Sequence, residues 1–320
     1  MNSFVPSPGF DVSRLKGTTL ILPSVSIGNV PQLTTDLLLS TVHLDRVGCI
    51  EDENVIPVLG PADKPHPASG SGNTQEHQQQ QQLSLAIEVF QSKDGQWTVV
   101  QQRSPTVRHR SHFFADNLVK FIQDSEFAQV LLLASADGAR RIDAQLRSGT
   151  PVRYIGSLAL SPLLVEKIQG LGLQPLESVP PTEEEKRNAE IHRKEQQQQQ
   201  QAAALAAATS GLADRVQGIQ LEGELDQGQQ VLEKVPRIPN GGIARRLHSL
   251  CQEQGVAILT LVLFAMEGDN APDAIFLANV ANAIFSVHVP TQQQILDGEG
   301  WKFPKSWDSL YGNTHHEDMY

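Results

Sequence analysis

The sequence predicts an α/β fold: a single three-layer α/β/α domain with a central, mostly parallel sheet and two disordered low-complexity insertions. Three features point to it. The apolar run Leu20–Val25 breaks at Ser26-Ile27-Gly28-Asn29, after which Val30, Leu33, Leu37 and Thr41 recur at helical spacing. Two further runs, Gln129–Ser135 and Val256–Phe264, are apolar almost throughout, as expected of strands covered on both faces. Two tracts, 61–82 and 181–233, abandon this patterning for glutamine, alanine, proline and charge.

Composition narrows the function classes. The chain has 320 residues, 39% of them hydrophobic, enough for one sizeable core. A formal net charge of −11 argues against a nucleic-acid surface. No apolar run reaches the roughly 18 residues of a membrane helix. Met1–Phe10 lacks the basic start and apolar centre of a signal peptide. Two cysteines, Cys49 and Cys251, with no CxxC spacing, suggest buried thiols in a reduced cytosolic or nuclear protein. A disulfide between them stays open.

The elements follow in order. Leu20–Val25 reads as a buried strand, Asn29 as an N-cap, and Pro31 as a first-turn residue whose missing N–H costs nothing. Arg46–Ile50 and Val55–Leu59 read as short strands around the acidic turn Glu51-Asp52-Glu53. Beyond the first insertion, Leu83, Leu85, Ile87 and Val89 alternate as one face of a strand. Asp94-Gly95 is a hairpin turn, with Trp97–Gln102 returning as its partner. Phe114, Leu118, Phe121 and Ile122 lie on or near one face of a helix over Phe113–Gln123. Gln145 to Ile155 reads as irregular, followed by a short helix near Ser161–Gln169. A helix over Ala244–Gln254, the strand Val256–Phe264 and a helix over Ile275–Phe285 complete the domain. Its expected extent is 14–312, with 313–320 as a flexible tail.

Several stretches carry residue types with chemical potential. The turn Ser26–Asn29 ends a strand and opens a helix, where ligands gather in α/β sheets. The turn Gly268–Asp273 repeats that arrangement, with Asp269 or Asn270 as a cap. Ser135 ends a strand but lacks the glycines of a nucleophile elbow, so it reads as a turn serine. His109, His112 and Asp116 straddle a loop and a helix start and read as a solvated basic face or a partner contact rather than a metal site. Gly241-Gly242 is not followed by a phosphate-loop lysine and reads as a loop needing positive φ. No catalytic, cofactor or metal residue is assigned. Trp301, Phe303, Trp307, Leu310 and Tyr311 suit pinning of a terminal segment or a partner's pocket.

Six blocks then align in order: L-P-S-V-S-I-G-N-V-P-Q-L, R-S-P-T at Arg103, Q-V-L-L-L-A-S through V-R-Y-I, R-I-P-N-G-G-I, F-A-M-E-G-D-N-A-P-D-A and W-K-F-P-K-S-W-D-S-L-Y-G. Together they resemble the proteasome assembly chaperone 2 family from about Gly17 to Gly312. The resemblance implies a non-enzymatic chaperone that pairs with proteasome assembly chaperone 1. That heterodimer would hold proteasome α-subunits while the α-ring of the 20S core particle forms, and would prevent off-pathway α-ring association. It also implies a cytoplasmic and nuclear location, with no cofactor, nucleic acid or membrane. In relatives a tail ending in a hydrophobic residue, a tyrosine and one further residue enters a pocket between α-subunits. Here Met319 and Tyr320 match that motif only in part and are the expected partner-binding residues. The competing class is a nucleoside-phosphorylase-like enzyme or small-ligand-binding protein using the two strand-end turns. A glutamine-tract scaffold is a third.

Overall fold

The computed structural model describes residues 4–62, 83–147, 149–178, 235–289 and 300–309, together with Arg187 and Lys194. The chain divides into two units, Met1–Leu176 with Ile238–Tyr320, and Glu177–Arg237. The first unit holds every element named below. Most of the tracts expected as insertions, and the expected tail with Met319 and Tyr320, lie outside the described residues.

In chain order the strands are β1 (Phe4–Pro6), β2 (Thr19–Pro23), β3 (Leu44–Ile50), β4 (Leu59–Pro61), β5 (Leu83–Leu85), β6 (Ile87–Ser92), β7 (Trp97–Gln102), β8 (Gln129–Asp137), β9 (Val152–Gly156), β10 (Gln174–Pro175) and β11 (Ile258–Ala265). The helices are α1 (Val30–Thr41), α2 (Ser111–Asp124), α3 (Asp143–Arg147), α4 (Pro162–Gly170), α5 (Ala244–Glu253) and α6 (Ala271–Phe285). Among the described residues nine strands form one sheet in the order β1-β3-β6-β7-β2-β8-β11-β9-β10, and β4 pairs with β5 apart from it. The central block β7-β2-β8-β11 is parallel, as the unbroken apolar runs require. An antiparallel flank of β1, β3 and β6 joins it through the Asp94-Gly95 hairpin.

Register explains the layering. Val99, Ile21, Leu131 and Leu259 stand side by side across the parallel block and belong to one buried cluster with Leu37 and Leu38 of α1 and Leu277 and Ala281 of α6. The neighbouring row, Leu22, Leu132 and Thr260, points the opposite way, toward α2 and α5. There Phe121 of α2 packs edge-on against Phe127 at 5.6 Å between ring centroids. His248 of α5 meets Thr260 through Nδ1 at 2.8 Å. The result is the α/β/α sandwich expected.

Several local expectations are corrected. α1 is rotated relative to the predicted stripe: Thr34, Thr35 and Leu38 are buried with Val30 and Leu37, while Leu33 is only half-buried. The threonines tolerate burial because each hydroxyl finds an acceptor: Thr34 donates to the Val30 carbonyl one turn back at 2.8 Å, and Thr35 to Gln101 Oε1 at 2.6 Å. Val55–Leu59 makes only a single bridge, Val55 to Thr106, and the strand starts at Leu59. The expected strand from Leu83 breaks at Ala86, leaving Leu83 exposed and β6 covered on both faces. Glu88 is therefore buried within β6. Arg46, at 3.1 Å, and Arg103, at 3.6 Å, answer its charge, yet burial pushes its carboxyl above the usual range.

The segment read as irregular contains α3 and β9. β9 lies antiparallel against β11 and buries Arg153 completely. Its guanidinium donates to the carbonyls of Thr150 at 2.9 Å and Gln145 at 3.3 Å and sits over the Phe264 ring at 5.8 Å. Trp301 and Trp307 pack on the core cluster, and Trp301 Nε1 donates to Asn279 Oδ1 at 2.8 Å, which pins the C-terminal segment to α6. Leu310 and Tyr311 lie outside the described residues.

Candidate functional site

Because β2, β8 and β11 run parallel, their carboxyl ends share one edge, and the connections leaving them meet there. β2 leads through Ser26–Asn29 into α1, β8 ends at Asp137, and β11 leads through Gly268–Asn270 into α6. The segment before α5, Pro239–Gly242, crosses the same edge. Its Asn240 carbonyl accepts from Ile27 N–H at 3.0 Å, and its Pro239 carbonyl accepts from Asp137 N–H at 2.9 Å.

The turns interlock through glycines. Gly28 has φ +68°, and a Cβ there would lie 2.6 Å from Asn270 Nδ2. Gly242 has φ +61°, and its Cβ would lie 2.0 Å from the Val25 carbonyl oxygen. The positive φ expected of the double glycine is present, and close approach of two main chains is a second demand on it.

Hydroxyls close the centre. Ser135 is buried inside β8 rather than in a turn beyond it. Its Oγ lies 2.8 Å from Ser26 Oγ and 2.6 Å from the Ile27 carbonyl, while its N–H donates to Ser26 Oγ at 3.0 Å. Ser24 Oγ donates to the Gly241 carbonyl at 2.9 Å. Each hydroxyl here serves another loop. Neither a carboxylate nor an imidazole enters this circuit among the described residues, so it holds no base able to activate Ser26 or Ser135. Asn29 has left-handed φ and makes no side-chain cap; α1 begins because the turn delivers it, not because Asn29 bonds its N–H groups. At the other turn Asn270 holds the N-cap position without a side-chain cap bond, and Asp269 Oδ1 accepts from Ala271 N–H at 3.1 Å instead.

Beside this circuit lies a cavity of about 320 Å³ lined by Arg141, Phe264, Asp269, Asn270 and Asp273. Burial, then the neighbouring Asp269 carboxylate, holds the Asp273 carboxyl above the usual range. Arg141 stacks over Phe264 at 5.7 Å. His109 and His112 do not join a metal-binding group: among the described residues no cluster of three or more His, Cys, Asp or Glu could hold an ion. Asp116 instead pairs with Arg246 at 2.9 Å. Cys49 and Cys251 are both free thiols. No helix among the described residues is long and apolar enough to cross a membrane.

The model of the PAC2 family matches residues 20–301, a span that includes all three interlocked turns. The chain belongs to the PAC2 family. Among relatives of this PAC2 chain, proteasome assembly chaperone 2 of Danio rerio is 32% identical over 96% of each chain. The human protein of the same name is 27% identical over 97% of each. Among solved structures, Pyrococcus furiosus PbaB, described as an archaeal proteasome activator, superposes with a TM-score of 0.51 at 11% identity, over 93% of this chain and 94% of its own. A Thermoplasma acidophilum protein of unknown function gives 0.52 at 11% identity, over 91% and 86%. These two likenesses speak for the PAC2 fold alone. The interlocked turns coincide with blocks the sequence had singled out, but their mutual contact is a property of the fold.

Proposed function

We propose that this chain is a non-catalytic proteasome assembly chaperone. It pairs with proteasome assembly chaperone 1, and the pair promotes α-ring formation of the 20S core particle while blocking off-pathway α-ring association, in the cytosol and nucleus. The observation that carries the reading is the match to relatives named proteasome assembly chaperone 2 along nearly the whole chain. Two structural features support it. Where β2 meets β8, the strand-end edge at which an α/β enzyme keeps its chemistry is filled by the chain's own loops. And α6 is apolar nearly all round: Leu277, Ala278 and Ala281 are buried, Ile275 and Val280 pack partly buried on the same core, and Phe276 is exposed. Helices of that composition are normally covered on every side. Leu163 of α4, which packs on α6, is 78% exposed, and Leu158 just before it is 98% exposed. A second α/β chain covering this face would bury them.

The test is a pull-down of the tagged chain from its own cells, read by mass spectrometry. A second assembly chaperone with proteasome α-subunits, and few mature β-subunits, is the expected catch. Recovery of the chain without α-subunits overturns the reading. Removal of Met319 and Tyr320 then separates the two partners: α-ring binding weakens while chaperone pairing persists. Unchanged α-ring binding removes the tail from the proposal.

A further inference from the structure

A second cavity, of about 450 Å³, lies where β7 ends beside α1, against the R-S-P-T segment. Its volume is that of a small-ligand site. Its wall is polar and rigid. The Gln101 side chain is fully engaged: Oε1 accepts from Thr35 Oγ1 at 2.6 Å, and Nε2 donates to the Gln32 main-chain carbonyl at 3.0 Å and to Asp36. Arg103 pairs with Asp36 at 3.2 Å, so the lining's cation and its carboxylate answer each other.

Three buried polar atoms on that lining have no hydrogen-bond partner among the described residues; one of them, Arg103 Nε, lies 3.6 Å from the Glu88 carboxylate, and the other two are neutral. Ser104 is 1% exposed, and its Oγ has no hydrogen-bond partner among the described residues. Gln32 Oε1, also buried, has none either. A buried polar atom without a partner costs about 1–3 kcal/mol, and a hydroxyl and an amide oxygen on one cavity call for a ligand with both an acceptor and a donor. A carboxamide has both: its C=O accepts from Ser104 Oγ and its N–H donates to Gln32 Oε1. If the Gln32 amide is turned over, the same ligand answers it, because both ends of the complement are present. Asp36 disfavours an anion in this space, and Arg103 disfavours a cation.

We propose that this cavity binds a carboxamide, offered either by an asparagine or glutamine side chain or by the main chain of an extended polypeptide. The site does not depend on the assembly reading.

The experiment is amide NMR of the intact chain titrated separately with propionamide, N-methylacetamide, acetate and inorganic phosphate. Saturable shifts confined to Gln32 and Gln101–Ser104 with an amide, and none with either anion, are expected. Propionamide alone identifies a side-chain source, and N-methylacetamide a main-chain source. Ser104→Ala does not lower the melting temperature, since it removes a buried hydroxyl that bonds nothing, and weakens amide binding by roughly 2- to 10-fold, the loss for one neutral hydrogen bond. Gln32→Leu does the same independently. The proposal falls if neither amide saturates, if an anion produces the same shifts, or if both variants bind as tightly as the parent.

Discussion

Gly28 and Asn270 interlock: the glycine of the β2–α1 turn leaves only enough room for the side-chain amide of the β11–α6 turn, 2.6 Å from where a Cβ would stand. Asn270 Nδ2 in turn donates to the Gly268 carbonyl at 2.9 Å, so the contact clamps both turns. Gly28→Ala combines this clash with a φ of +68° and is expected to destabilise by about 2 kcal/mol or more. Urea unfolding measures it. Adding Asn270→Ala opens the space but not the backbone strain, so the double variant should be more stable than the sum of the singles predicts. Strict additivity would show that the two turns do not share this contact.

His248 makes stability depend on acid. Burial holds its imidazole at about 4, against 6.5 for an ordinary histidine. The folded state therefore binds fewer protons than the unfolded chain between these values. The resulting stabilisation is complete above about 6.5 and is lost as pH falls toward about 4, by about 3 kcal/mol in all. Denaturant unfolding at pH 7.5 and pH 4.5 should show the loss, and His248→Leu should flatten the profile. An unchanged slope in the variant would assign the acid sensitivity to other groups.

Cys251 should be inert. Burial pushes its thiol up to about 12, and Cys49 is raised too, first by burial and then by Glu51. Alkylation at pH 8 should modify Cys49 slowly, and Cys251 only in denaturant. Equal rates for the two in the native state would mean that α5 opens readily.

The α6 face provides a surface test of pairing. Phe276→Arg and Leu163→Glu replace exposed side chains, so the melting temperature should stay within a few degrees of the parent. Affinity for the partner chaperone should drop roughly tenfold or more if these side chains lie at the centre of the contact. Undiminished pairing would place the interface elsewhere on the fold.

The parts of the fold legible in the sequence are those that short-range periodicity reports. The β2–α1 unit, β8, β11, α2 and the Asp94-Gly95 hairpin follow from local spacing and turn chemistry. β9 was missed because a fully buried arginine looks like a surface residue until the Gln145 and Thr150 carbonyls and the Phe264 ring come together around it. Glu88 hid the second face of β6 for the same reason. At the strand-end edge the individual turns were visible, but not their convergence. Ser26 and Ser135 meet through strand pairing, and no spacing along the chain encodes that distance. The orphaned Ser104 was equally invisible, since the lack of a partner is a fact about neighbours remote in sequence.

The strand order bears on how the chain is made. β11 sits between β8 and β9, yet Ile258 leaves the ribosome only after the whole of 157–257. Until then β8 and β9 each present an open strand edge toward the gap. A nascent chain halted before Ile258 cannot close its sheet, and the final closure joins segments far apart in sequence, a slow class of folding step. Synthesis therefore passes through a sticky intermediate, and a chain of this design would itself benefit from protection while it is being born.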